Sequence, residues 1–212
     1  AQTGLWARYR PEELATPEAF RRHPRLVWDW YAWRRGLAAA AAPNPGHLAI
    51  ARLERLVPRL TLITQNVDGL HARAGSAEPI ELHGSLLRVR CAAEGTPYTR
   101  WAAVDEPPPP CPACGAPLRP DVVWFGEALP EEALTRAWEA AQGCDLLLSV
   151  GTSGLVEPAA SLPRVAYAAG ATVAVINPDV RPRAEGRLLA LAGRSGALLP
   201  ALVEAAFPGA ER

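Results

Sequence analysis

The chain contains no methionine and no lysine; each of its 22 basic residues is arginine. With 22 prolines and long alanine runs, this composition points to GC-rich coding and selection for heat stability, although arginine in place of lysine is a weak thermophile signal. Neither sign of charge is in excess. The 22 basic and 22 acidic residues cancel, which argues against a polyelectrolyte partner, so no nucleic-acid binding by bulk charge is expected. There is no apolar run of membrane-spanning length and no signal peptide at the start, so no membrane partner is expected. Cysteine is scarce. Four thiols, two of them in a C-x-x-C, fit a metal site in a reduced compartment better than a disulfide framework, and a cytoplasmic location is the expectation.

What is present is enough apolar residue, 49%, to bury a sizeable core in one or two domains. The pattern predicts helices over 11–22, 24–42, 47–57, 130–142, 158–169 and 197–207. Thr16-Pro17-Glu18 supplies an N-cap, a proline in the first turn and an acid behind it. Short apolar runs predict strands near 60–64 and 80–82, and at Asp145–Val150 and Ala171–Ile176. Residues 88–121 differ in composition, with three cysteines and four consecutive prolines, and read as a small irregular module inserted into a larger domain. Strand–helix–strand alternation elsewhere predicts an α/β fold with a doubly wound parallel sheet.

Polar groups cluster where such a sheet binds ligands. The strand at 60–64 ends in Thr64-Gln65-Asn66-Val67-Asp68-Gly69-Leu70-His71, and the next ends in Glu81-Leu82-His83-Gly84-Ser85. Amide side chains donate and accept at once, which suits a carboxamide and ribose hydroxyls. Histidine is the side chain best placed to take a proton near neutral pH. Further along come Cys111-Pro112-Ala113-Cys114-Gly115, Leu118–Glu127, Gly151-Thr152-Ser153-Gly154 and Ile176-Asn177-Pro178-Asp179. In content and order these motifs resemble the sirtuins, NAD-dependent protein-lysine deacylases, over nearly the whole chain.

The resemblance implies a Rossmann-like NAD-binding domain at 46–87 and 122–212. It implies a smaller lobe made of the helical segment 1–45 and the cysteine module 88–121, with substrate entering between the lobes. His83 would be the general base on a ribose hydroxyl. Gln65, Asn66, Val67 and Asp68 would hold the nicotinamide side of NAD; for His71, merely buttressing the loop is the plainer reading. Gly151, Thr152, Ser153, Asn177, Pro178, Asp179 and, late in the chain, Ser195 would meet the adenosine side. Val122 and Phe125 would line the acyl-lysine tunnel, and Gly154, Leu155 and Val156 would pair with the substrate peptide as an added strand. The partners implied are acyl-lysine proteins or peptides and NAD. With no lysine, the chain offers such an enzyme no side chain of its own as substrate.

Tyr31 and Arg34 add a substrate clue. They stand one helical turn apart, and a guanidinium fork beside a phenol is a carboxylate receptor. The spacing resembles the Tyr-x-x-Arg of class III sirtuins, which remove succinyl or malonyl groups; acetyl would also be accepted. Two features depart from the family. Cys111 and Cys114 match the second C-x-x-C of its zinc ribbon, but the first reads Cys91-Ala92-Ala93-Glu94. Zinc would then be held by Cys91, Cys111 and Cys114 with Glu94 or water, or would be absent and replaced by proline stiffening. Cys144, at the entrance of a buried strand, is no candidate. The other departure is the start. Ala1-Gln2-Thr3-Gly4-Leu5-Trp6 resembles the stretch just after the family's glycine-rich loop, so a fragment is expected, and a protein without that loop would bind NAD poorly. That absence motivates a rival, a non-catalytic NAD or ADP-ribose-binding module. A zinc-ribbon nucleic-acid module is a weaker rival, because 88–121 carries few basic or aromatic residues.

Overall fold

The structure is a computed structural model and describes residues 11–210. The start of the chain, on which the fragment expectation rests, lies outside the described residues. The chain forms two compact units. One comprises the chain up to Ala41, Asn66–Gly69 and His83–Pro130; the other comprises Ala42–Gln65, Leu70–Leu82 and the chain from Glu131 onward.

In the first unit the helix expected over 11–22 is two helices, Pro11–Leu14 and Pro17–Arg22. Thr16 caps the second: its Oγ1 accepts the Ala19 N–H at 3.1 Å, and Pro17 opens the helix because it has no N–H to leave unpaired. The long helix Pro24–Ala40 turns Val27, Trp30 and Tyr31 inward. They meet Leu14, Phe20, Leu86, Val122 and Trp124 in one core cluster. Beside it lies an antiparallel sheet in the order Pro97–Tyr98, Gly84–Cys91, Leu118–Val122. Strand Gly84–Cys91 continues through residue 88, with a register shift between Ser85 and Val89, so the cysteine segment shares a sheet with the residues around His83. Pro120 is tolerated because its strand is at the sheet edge. A second cluster, Trp28, Val89, Cys91, Cys111 and Leu118, gives the cysteine segment its own small core.

The second unit carries the parallel strands. Leu146–Val150, Thr172–Ile176 and Leu188–Leu191 run parallel, with Arg183–Glu185 antiparallel at the edge; a separate parallel pair joins Ile63–Thr64 to Ile80–Glu81. Alternation along the strands sends Leu148, Val150 and Ile176 into a cluster with Ala49, Leu53, Leu199 and Val203. Helices Pro45–Leu56 and Ser195–Ala206 supply those last four residues. Helices Glu131–Gln142 and Leu162–Ala168 pack on each other, and the latter on the sheet. The helix expected over 158–169 opens with one 3-10 turn, Ala159–Ser161. The strands within 183–191 are additions to the expected set.

Helix Pro45–Leu56 begins with a capping box in which histidine takes the usual acid's place. Asn44 Oδ1 accepts the N–H groups of Gly46 and His47, and His47 Nδ1 accepts the Asn44 N–H at 3.2 Å. Asn44→Ala is expected to cost about 1 kcal/mol, read as a lower urea midpoint at unchanged m-value. No helix among the described residues is long and apolar enough to cross a membrane.

Candidate active site

The two polar motifs run side by side because the strands before them pair in parallel. In the second unit Ile63 faces Ile80 and Thr64 faces Glu81, and the Leu82 N–H donates to the Thr64 carbonyl at 3.0 Å. In the first unit the Leu86 N–H donates to the Val67 carbonyl at 2.8 Å. Asn66 and Asp68 therefore share a unit, and a pair of adjacent chain segments, with His83. Asn66 is exposed, and Asp68 and His83 are half-buried, as is Gln65 in the second unit. Val67 has a different role from its neighbours. Its side chain packs on the core and its carbonyl is bonded to Leu86, so it anchors the loop. His71 stands in the short helix Leu70–Arg73 with its ring 4.6 Å from that of His47, in keeping with a buttress.

His83 is held by its own backbone. Its carbonyl accepts the Val123 N–H at 3.0 Å, and Leu82 before it is fully buried. Gly84 follows with φ +74°, and a Cβ there would sit 2.1 Å from the Asp121 carbonyl oxygen. Only glycine lets the two strands approach this closely.

The tunnel expectation needs a correction of phase. Val122 is 6% exposed and Trp124 3%; both belong to the core. Side chains alternate along extended backbone, so the outward residues are Val123, half-buried, and Phe125, 51% exposed. Of the two expected wall residues, Phe125 is the more exposed.

Tyr31 is almost fully buried. Its hydroxyl accepts a hydrogen bond from Trp124 Nε1 at 3.0 Å. Burial pushes its pKa up, against the opposing charge of Arg34. The Arg34 guanidinium lies 5.3 Å from the Tyr31 ring centre and 4.8 Å from that of Trp30, and burial lowers its pKa. Tyr31 is thus fixed in the core, and Arg34 beside it is half-buried.

Behind Trp124 lies a network not recognised from sequence. Arg119 stacks on the Trp124 ring, 3.3 Å from its centre. It is only 7% exposed, and it bonds Glu127 with both terminal nitrogens, one at 2.9 Å. Glu127 also accepts the Trp124 N–H at 2.8 Å. An arginine and an acid flanking an apolar stretch were the available signal. Burial raises the Glu127 carboxyl, but hydrogen bonds from Arg119 and the Trp124 N–H and the charges of Arg119 and Arg90 outweigh it, so its pKa lies below the ordinary 4.5. A depressed carboxyl contributes stability that is complete above its unfolded pKa and lost as pH falls through the folded one. Glu127→Gln is therefore expected to cost about 3 kcal/mol at neutral pH by stranding a buried arginine. Urea midpoints of variant and wild type should converge on acidification well below pH 4.5.

In the second unit the strand Leu146–Val150 ends at Gly151, whose φ is +62°, followed by half-buried Thr152 and exposed Ser153 and Gly154. No atom lies within 4 Å of the Cβ position of Gly151 or Gly154, so a ligand can approach the backbone there. Leu155 is 83% exposed and Val156 43%, the exposure an added peptide strand requires. Asn177 departs from expectation. Its Nδ2 donates to the Thr152 carbonyl at 2.9 Å and its Oδ1 accepts the Asp179 N–H at 3.0 Å, so it ties the two strand-end loops together. Asp179 and Pro178 are exposed. Ser195, half-buried, opens the last helix.

Cys91, Cys111 and Cys114 have converged, their sulfurs within 4.8 Å of one another. Cys91 and Cys114 are 3.4 Å apart. The Tyr98 hydroxyl, 3.3 Å from Cys111 Sγ, and the backbone N–H groups of Ala113 and Cys114 hold the Cys111 thiol down at about 7. The Ala116 N–H lowers the Cys114 thiol, but the adjacent Cys91 and Cys111 sulfurs push it up to about 11. The donor set is compatible with zinc. Cys144 is in the second unit, its thiol directed to the Ala141 carbonyl.

Comparison with known proteins agrees with this geometry. Residues 1–158 match the model of the Sir2 family. The chain is 55% identical over 204 residues to NAD-dependent protein deacylase 2 of Pyrobaculum aerophilum, covering 95% of this chain and 81% of that protein. It superposes on the crystal structure of a Sir2 homologue–NAD complex with TM-score 0.86 at 47% identity, covering 95% of this chain and 79% of that one. The structure of Sir2Af2 bound to a myristoylated histone peptide matches with TM-score 0.73 at 37% identity, over 92% of this chain and 84% of that one. The sirtuin-like order of motifs and the parallel α/β sheet are thus accounted for together: this chain belongs to the Sir2 family.

Proposed function

We propose that this protein is an NAD-dependent protein-lysine deacylase that favours succinyl and malonyl over acetyl groups. The observation that carries the reading is the Leu86–Val67 backbone bond between the segments that contain His83 and Asn66–Asp68, in a chain of the Sir2 family. The fit to NAD rests on the open backbone at Gly151 and Gly154 and on exposed Ser153 and Asp179. Bound NAD would supply the ribose that accepts the acyl group; with one water consumed, nicotinamide, free lysine and O-acyl-ADP-ribose would be the products.

Within that reaction the chain's own groups divide the work. Asn66 and Asp68, with Gln65, offer the amide and acid that suit a carboxamide and ribose hydroxyls. With NAD bound, His83 would take a proton from a ribose hydroxyl onto a ring nitrogen. Leu155 and Val156 receive the substrate backbone as an added strand. Arg34, propped by the Tyr31 and Trp30 rings, binds the distal carboxylate of a succinyl or malonyl group.

The experiment compares turnover of succinyl-, malonyl-, acetyl- and myristoyl-lysine peptides by wild type and by Arg34→Met. The expected result is a drop of about 10–100-fold in the succinyl-to-acetyl ratio of kcat/KM, since a hydrogen bond to a charged group contributes ~1.5–3 kcal/mol. An unchanged ratio removes the carboxylate receptor from the account.

A further inference from the structure

Strand Gly84–Cys91 is irregular just past His83. Ser85 stands opposite Asp121 and Val89 opposite Pro120, so Leu86, Leu87 and Arg88 pair with no residue of strand Leu118–Val122. Bulges of this kind re-aim the chain beside active sites, and they leave backbone groups for other partners to satisfy. Here the partners are specific. The Leu86 N–H donates to the Val67 carbonyl at 2.8 Å, and the Leu87 N–H to Ser85 Oγ at 3.2 Å. The Leu86 carbonyl accepts Arg35 Nε at 2.7 Å. Leu86 is only 3% exposed, so water is a poor substitute for that donor. The segment Asn66–Gly69 leans on the same bulge: a Cβ at Gly69 would lie 2.7 Å from Leu87 Cδ1.

We propose that Arg35 is a positioning residue for the cofactor site: it fixes the bulge at Leu86 and, through it, the loop that carries Asn66 and Asp68. The proposal rests on the reading of those two residues as holders of the nicotinamide side of NAD. Arg35 is itself held by aromatic rings. Its guanidinium carbon lies 4.8 Å from the ring centre of Trp101 and 5.7 Å from that of Trp28, and the two rings meet edge to face at 6.4 Å. One side chain thus joins helix Pro24–Ala40, the strand after His83 and the cysteine segment. Space-filling explains this residue poorly. Its Nη2 is buried with no hydrogen-bond partner, and burial lowers its pKa. Where only packing is at stake, an apolar side chain of similar volume serves at least as well. What an apolar side chain cannot supply is the donor that the Leu86 carbonyl accepts. Arg34, the neighbour on the helix, lies against the Trp30 and Tyr31 rings instead, so the two arginines serve different parts of the site.

The test compares wild type, Arg35→Met and Arg35→Lys in the full-length protein, at a temperature below their thermal transitions. Amide exchange at Leu86, followed by NMR without substrate, reads the bulge itself. Arg35→Met is expected to speed it by about 10–100-fold, the effect of losing a hydrogen bond from a charged group. With saturating succinyl-lysine peptide, kcat/KM for NAD should fall about 10-fold or more, since a small misplacement of binding groups is enough for that. The succinyl-to-acetyl ratio should keep its wild-type value, because Arg34 is untouched. Arg35→Lys should recover part of both losses, as its ammonium can donate to the Leu86 carbonyl. If Arg35→Met fails to fold, Arg35→Lys and Trp101→Leu replace it, each expected to move both readouts the same way by a smaller factor. Unchanged Leu86 exchange in every folded variant overturns the proposal. So does faster exchange with unchanged kcat/KM for NAD, a lysine variant no better than the methionine one, or a change confined to the succinyl-to-acetyl ratio. A wild type without NAD turnover would instead remove the deacylase reading, and Leu86 exchange together with NAD affinity would then decide the role of Arg35.

Discussion

Replacing His83 with alanine is expected to reduce deacylase turnover by about 10²–10⁴-fold, the contribution of a positioned general base, while leaving the fold intact. The substitution removes a half-buried ring and keeps the backbone bond from the Val123 N–H to the residue-83 carbonyl. The loss should fall on kcat more than on KM, because the proton transfer occurs after the acyl-peptide is bound. Steady-state kinetics with a succinyl-lysine peptide measure it, and an unchanged thermal transition shows that the variant is folded. A His83→Ala enzyme with near-normal kcat would move the base to another residue.

Gly84→Ala, one residue on, is expected to act on the fold. The new Cβ would stand 2.1 Å from the Asp121 carbonyl oxygen, a backbone atom in the facing strand, at a φ of +74° that costs a residue with a side chain about 1–2 kcal/mol before any collision. Relief requires the Gly84–Val122 pairing to open, and that pairing holds His83 on one side and core residue Val122 on the other. The expected cost is about 4 kcal/mol or more, or a fall in Tm of roughly 8–16 °C for a chain of this size. Gly75→Ala is the control. Its φ is +101° but nothing lies within 4 Å of its Cβ position, so only the backbone strain applies and the Tm loss should be a fraction of that for Gly84→Ala. Equal losses in the two variants would mean that the close approach at Gly84 is relaxed cheaply.

Much of this arrangement was legible in the residues, because the signals were local. Apolar runs marked Leu146–Val150 and Thr172–Ile176, and strand-end polar clusters marked the segments around Asn66 and His83. What stayed hidden depended on partners distant in sequence. Strand Leu118–Val122 carries a proline and a buried arginine, both contrary to a strand by local preference; the sheet edge accommodates the first and Glu127 pairs the second. Val122 read as tunnel wall because its phase relative to the core cannot be known before Trp124 is seen packed inward. Asn177 read as a ribose ligand, yet its amide bonds Thr152, a residue on the preceding strand's loop.

The central claim is that acyl transfer to NAD is what the Sir2-family site of this chain performs. The most direct measurement is nicotinamide released by the full-length protein from NAD, with and without a succinyl-lysine peptide. The account predicts release that requires the acylated peptide and runs in step with formation of the deacylated peptide. NAD or ADP-ribose binding with no nicotinamide release, on any of the succinyl, malonyl, acetyl or myristoyl peptides, would contradict it and leave a binding module.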